Sequence, residues 1–138
     1  MTLGAVGTGD SAYGLINRGT IMASGVYKGV DGVAVQLGVD GGQTVTIEGG
    51  VRNEGSITAT GFDANATGVS VRAGASTPTF VNTGTLHAGL RSDEADFTAT
   101  AVQIDAGASM PSFTNSGVIS SNVQGNHADA VGVHDLSG

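Results

Sequence analysis

The sequence predicts an all-β fold, a right-handed parallel β-helix of about four to five coils, and three observations predict it. A short pattern, apolar-x-Asn-x-Gly-x-Ile/Leu, is written four times along 138 residues. A Val-rich segment fills each interval. The composition is that of a turn-rich β chain: 24 Gly, 4% aromatic residues and no cysteine, so small and β-branched side chains must do the packing. A fixed repeat changes the meaning of every other motif, because each unit then packs on a neighbour rather than on a private core.

The first element is weak: "GAVGTG" from Gly4, with Val6 as its apolar position. "LINRGTI" from Leu15 follows, then "GVAVQLG" from Gly32, "VRNEGSI" from Val51 and "GVSVRAG" from Gly68. The stretch "ASTPTFVNTGTLHAG", Ala75 to Gly89, returns 33 residues later as "ASMPSFTNSGVISSN", Ala108 to Asn122. "TAVQIDAG" from Thr100 and "AVGVHDLSG" from Ala130 complete the series. Val6, Val35, Val71, Ile104 and Val133 align as equivalents, and Asn53 to Asn82 gives a basic unit of 29 residues. Seven more enter near "VDGGQTV" and four near "LRSDE". Fixed strands with variable corners account for this spacing. Residues 1–138 read as a single solenoid segment, a fragment or subunit of a longer one.

Alternation along each strand assigns the interior. Leu15, Val51, Phe80 and Phe113 form one inward column, and Ile21, Ile57, Leu86 and Ile119 another. Val33 with Val35, Val69 with Val71, and Val102 with Ile104 line a third face. Asn17, Asn53, Asn82 and Asn115 recur once per coil, where stacked amides can bond one another in a ladder. Gly19, Gly55, Gly84 and Gly117, two residues on, are expected to permit the corner to the next face. Pro78 and Pro111 stand two residues before the Phe column, where a fixed φ suits strand entry.

These Asn-x-Gly-x-Ile/Leu units, set in Ala, Gly, Thr and Val without cysteine, resemble the passenger β-helices of bacterial autotransporters and two-partner-secretion adhesins. The resemblance runs from about Gly4 to Val133. It implies a right-handed β-helix, export to the bacterial cell surface or beyond, and roles in adhesion, aggregation or surface display. The chain departs from that pattern in showing no signal peptide, outer-membrane barrel or evident cap. Any targeting region is expected to lie outside it.

Candidate chemistry is sparse. "GTGDSA", Gly7 to Ala12, imitates a dinucleotide fingerprint, yet no helical periodicity follows it, and Gly9 reads as a turn like Gly74 and Gly107. Ser11 misses the nucleophile elbow by one position. His87, His127 and His134 have no zinc-like spacing. Asp93, Glu94 and Asp96 are the richest acidic cluster and the weak candidates for Ca²⁺, whose ligands are six to eight oxygens. "NAT" at Asn65 fits the glycosylation triplet, which is common by chance. No cofactor and no catalytic residue is assigned.

A net charge of −7, from 12 acidic and 5 basic residues, opposes nucleic acid as a partner. No apolar run approaches the length of a membrane span. The leading expectation is a non-enzymatic structural or adhesive segment, with Gly38 to Val45 and Leu90 to Asp96 as contact loops for a host or cell-surface ligand. A self-assembling fibre subunit, stacking through open strand edges, is the alternative. A polysaccharide-acting β-helix enzyme ranks below both, because Tyr13 and Tyr27 are the only tyrosines available as sugar platforms. Ice binding would need a regular outward Thr array, and Met22, Thr58, His87 and Ser120 are too mixed.

Overall fold

The computed structural model describes residues 1–94 and 96–138, and its strands stack in parallel as a β-solenoid of about four coils. A short strand β1 (Thr2–Leu3) and a 3₁₀ turn (Gly9–Ser11) precede the first coil. That coil contains β2 (Leu15–Asn17), β3 (Thr20–Ser24), β4 (Gly32–Leu37) and β5 (Val45–Ile47). The second contains β6 (Val51–Asn53), β7 (Ser56–Phe62), β8 (Ala66–Val71) and β9 (Ala75–Ser76). β10 (Phe80–Asn82), β11 (Thr85–Arg91) and β12 (Phe97–Ile104) make the third. β13 (Phe113–Asn115), β14 (Val118–Gln124) and β15 (Ala128–Asp135) make the fourth.

Corresponding strands pair in register, coil on coil. The sheets are β2-β6-β10-β13, β3-β7-β11-β14 and β4-β8-β12-β15, with a narrow fourth sheet, β1-β5-β9. Leu15, Val51, Phe80 and Phe113 share one column, and the two rings stack with centroids 5.5 Å apart. Ile21, Ile57, Leu86 and Ile119 share another. Ile47, Val51, Ile57, Val69, Phe80, Leu86 and Val102 form the dry centre of one continuous core. Beside it Ala59, Ala66, Ala88 and Ala99 form a cluster of small residues where two sheets come close. A Cβ on Gly68 would stand 2.6 Å from the Ala101 carbonyl and 3.3 Å from that of His87, so the backbones leave no room for more.

The two central amides of the ladder, Asn53 and Asn82, work in both directions. Asn17 Nδ2 donates to Asn53 Oδ1 at 2.8 Å, Asn53 to Asn82 at 2.7 Å, and Asn82 to Asn115 at 2.7 Å. The same nitrogens reach the carbonyls of Gly19, Gly55, Gly84 and Gly117 at 3.2 to 3.3 Å. Asn53 and Asn82 are wholly buried, and no buried side-chain polar atom among the described residues lacks a partner. The amides therefore satisfy one another where water cannot.

Four expectations are corrected. Val35 pairs with Val69, which pairs with Val102 and then Val133, whereas Leu37 heads the column of Val71 and Ile104. The alignment of Val35 with Val71 is thus two residues out; a slip of two preserves every inward face, so alternation alone does not reveal it. Val33 pairs with Thr67 and points outward. Val6 belongs to no coil: it bridges antiparallel to Tyr13 and is 76% exposed. The seven extra residues of the first coil also lie at three corners rather than in one loop. Two fall between Ser24 and Gly32, opposite Thr60 and Ala66; four between Leu37 and Val45, opposite Val71 and Ala75; one between Thr46 and Val51, opposite Ser76 and Phe80.

None of the four corner glycines has a positive φ. What demands glycine is the close approach of stacked corners. A Cβ on Gly55, Gly84 or Gly117 would overlap the carbonyl oxygen of Gly19, Gly55 or Gly84 respectively, whereas one on Gly19 meets nothing within 4 Å. Pro78 lies in the corner between β9 and β10, and Pro111 just before β13.

Gly84→Ala is accordingly expected to lower the melting temperature far more than Gly19→Ala, which should stay within about 1 kcal/mol of the parent. Asn82→Ala should cost about 2 kcal/mol or more by stranding buried partners. Thermal denaturation of the three variants checks both statements, and equal melting temperatures for Gly84→Ala and Gly19→Ala would contradict the first.

Candidate binding groove on the third sheet

The outer face of β4-β8-β12-β15 is concave, and the bend has a local cause. Alternation breaks once per strand: Ala34 and Val35, Gly68 and Val69, Ala101 and Val102 are successive residues that both face the interior. The pairing skips Ala34, Gly68, Ala101 and Gly132 at this point. Placing two residues on the inner side of a bend lengthens that side, so the strand curves away from the core and the outer surface becomes hollow. The hollow has a volume of about 260 Å³.

Outward residues from three coils line it. Val33, Thr67 and Thr100 form one row of the floor, and Gln36, Ser70 and Gln103 the next. Ser70 is 3% exposed and Thr100 7%, yet neither hydroxyl bonds any described residue. Since no buried polar atom among the described residues is unsatisfied, the Ser70 oxygen must open onto the hollow itself.

Both ends of the floor are fixed. At one, the Asn65 backbone N–H donates to Asp31 Oδ1 at 2.8 Å, and the Thr98 N–H donates to Asn65 Oδ1 at 3.0 Å. At the other, Arg72 Nε lies 3.2 Å from Asp105 Oδ2 and donates to Asp40 Oδ1 at 3.2 Å, while its Nη2 also binds Asp40. Gln103 Nε2 donates to Asp105 at 2.9 Å, and Gln103 Oε1 shares a hydrogen bond with His134 Nδ1 at 2.9 Å. Gln36 Nε2 donates to the Gly38 carbonyl at 3.0 Å. The rim is therefore held in place, and the floor hydroxyls are left free to bond something else.

The two expected contact loops flank this hollow at opposite ends. Gly38 to Val45 supplies Asp40, which clasps Arg72. The segment Leu90 to Asp96 is shorter as a loop than expected, because Leu90 and Arg91 continue β11 and Leu90 is buried in the interior. The four extra residues of this coil fall between Arg91 and Ala99, opposite Phe62 and Ala66; Ala95 lies outside the described residues. Asp93, Glu94 and Asp96 do not converge. Asp93 faces Arg91 at 3.6 Å, Glu94 bonds Lys28, and Asp96 stands 3.6 Å from His127. Among the described residues no three His, Asp or Glu side chains stand together as metal ligands. Glu94 raises the Lys28 pKa above its usual value. Asp63, the one described non-glycine residue with positive φ, pins the corner: its Oδ1 accepts the Asp93 N–H at 3.1 Å.

His87 points outward from β11 and shares a 2.9 Å hydrogen bond with Ser120. Ser11 sits in the 3₁₀ turn and Gly9 at its start, away from any helix of a dinucleotide fold. On the first sheet's outer face, Arg18 and Arg52 both bind Glu54, at 2.8 and 2.7 Å. Arg18 first, then Arg52, hold the Glu54 carboxyl below its usual range. No helix among the described residues is long and apolar enough to cross a membrane. The chain matches no family model, no curated protein and no solved structure.

The floor was hidden from a reading by strict alternation. A signal for it exists in the sequence: the dyads Ala34-Val35, Gly68-Val69, Ala101-Val102 and Gly132-Val133 put a small residue before Val at the same place in every coil. Polar residues then stand on both sides of the dyad in the two central coils.

Two outcomes follow. Because the folded pKa of Glu54 is depressed, its contribution to stability is full above the unfolded value and is lost as pH falls through the folded one. Glu54→Gln should therefore flatten the decline of the denaturation midpoint below about pH 4. Separately, melting temperatures in millimolar calcium and in chelator should coincide, since the acids of the loop face separate partners and do not converge; a calcium-dependent rise would contradict this.

Proposed function

We propose that the chain is a non-enzymatic structural and adhesive segment of a secreted bacterial surface β-helix, acting through outward residues rather than through a catalytic centre. The observation that carries this reading is where the coils differ. Extra residues enter only at corners, strand register is untouched, and insertions in the first and third coils end beside the same hollow. A ladder-locked rod that varies only at its corners is suited to holding a surface in fixed geometry. The acids around the hollow serve as bonds to Asn65, Arg72 and Gln103, which supports a positioning role for them.

A second reading, end-to-end assembly, is favoured by the ends of the ladder. Asn115 Nδ2 donates to the Gly117 carbonyl at 3.2 Å and to no further Asn, and Asn17 Oδ1 accepts the Gly19 N–H at 3.2 Å. β2, β3 and β4 at one end, and β13, β14 and β15 at the other, each have one unpaired edge of matching polarity. A second copy stacked head to tail would extend all three sheets and the ladder together.

Adhesion is checked with the purified chain coupled to beads and laid on cultured cells or extracellular matrix. Retention above bare beads is expected, and retention equal to bare beads would sink the adhesive reading. Assembly is checked by light scattering and negative-stain microscopy over rising concentration, where rods of several lengths are expected and a strictly monomeric species would retire the stacking.

A further inference from the structure

We infer that the hollow on the third sheet is a binding site for a neutral, polyhydroxylated ligand, one or two pyranose-sized units of a glycan. This inference rests on the adhesive reading and gives it a ligand class.

The chemistry of the floor selects hydroxyl partners. Thr67, Ser70 and Thr100 present free hydroxyls, each able to donate once and accept twice, which is the bonding capacity of a sugar hydroxyl. These groups come from two adjacent strands, about 4.8 Å apart, a spacing that matches equatorial hydroxyls on alternate carbons of a sugar ring rather than on adjacent ones. Val33, 37% exposed, adds the apolar surface that a ring face can cover. Paired rim residues do not need to reorganise when a ligand arrives, so little ordering is lost on binding.

Charge selects against acids. Asp31 and Asp105 line the hollow and Asp40 closes on Arg72, so three carboxylates edge it, while its one guanidinium is already paired with Asp40 and Asp105. A phosphate, sulfate or uronate would meet net negative potential and no free cation. An extended peptide has no strand edge to join here, because β8 is paired on both sides. The volume of about 260 Å³ is just below the usual range for drug-sized ligands, and the hollow is open to solvent. A short stretch of a longer chain fits it better than an isolated large molecule.

The test is a titration of the ¹⁵N-labelled chain, followed by amide shifts, with oligomers of glucose, galactose, mannose and N-acetylglucosamine, and with uronate oligomers of matched length. At least one neutral oligomer is expected to shift amides of β8 and β12, and the uronates to leave them in place. Ser70→Val and Thr100→Val should each weaken that binding about tenfold, while Thr58→Val on the neighbouring sheet leaves it unchanged. Melting curves verify that the variants are folded, and Thr67→Val replaces any that is not. Silence toward every neutral oligomer, shifts confined to another face, or equal binding of uronates would overturn the assignment. Beads that adhere although the hollow binds no sugar would leave the adhesive reading standing without it. Sugar binding in the hollow by a chain whose beads never adhere would do the reverse.

Discussion

The whole structure depends on the buried Asn ladder. Asn53 accepts from Asn17 and donates to Asn82, the Gly55 carbonyl and the Thr85 carbonyl, so one side chain ties three coils and closes its own corner. An amide left alone in that interior would cost about 1–3 kcal/mol. The ladder's main effect is therefore on register: any slip of one coil against the next strands two amides at once. Aliphatic columns on either side tolerate a two-residue slip; the amides do not.

Gly55, Gly84 and Gly117 complete the constraint from the steric side. Their corners stack so closely that a methyl group would overlap the carbonyl above, which holds the coils at the amide–amide distance of 2.7 to 2.8 Å. Amide and glycine are thus two halves of one corner. With register fixed there, extra residues can enter only where no ladder or sheet is interrupted. The longer first and third coils obey this, placing their additions between strands.

Rigidity at the corners gives the third sheet its use. A bend made of Ala or Gly followed by Val, repeated in register, hollows the outer face over several coils, and the ladder keeps the rows aligned. Nearly every strand pairing spans a full coil, so local hairpins contribute little and the end coils are held from one side only. The exposed strands β13, β14 and β15 illustrate this, in contrast to the buried β8 and β12. Residues of the hollow come chiefly from the two central, doubly supported coils, where geometry is best preserved.

The sequence by itself determined the coil, because a recurring Asn, Gly and apolar position at near-constant spacing can bury its faces only by stacking. It also placed the Phe and Ile columns, which follow from alternation within a single strand. Three things were decided only by the tertiary structure. The pairing of Val35 with Val69 rather than Val71 depends on contacts between strands, since both choices keep the same face inward. The reason for glycine at Gly84 is the carbonyl of Gly55, a residue of another coil. The hollow arises where two inward neighbours bend a strand, and its rim joins Asp40, Arg72 and Asp105 from three different coils. Alternation is a property of one strand, whereas register, close approach and concavity are properties of several, and that is why the sequence carried the first and folding supplied the rest.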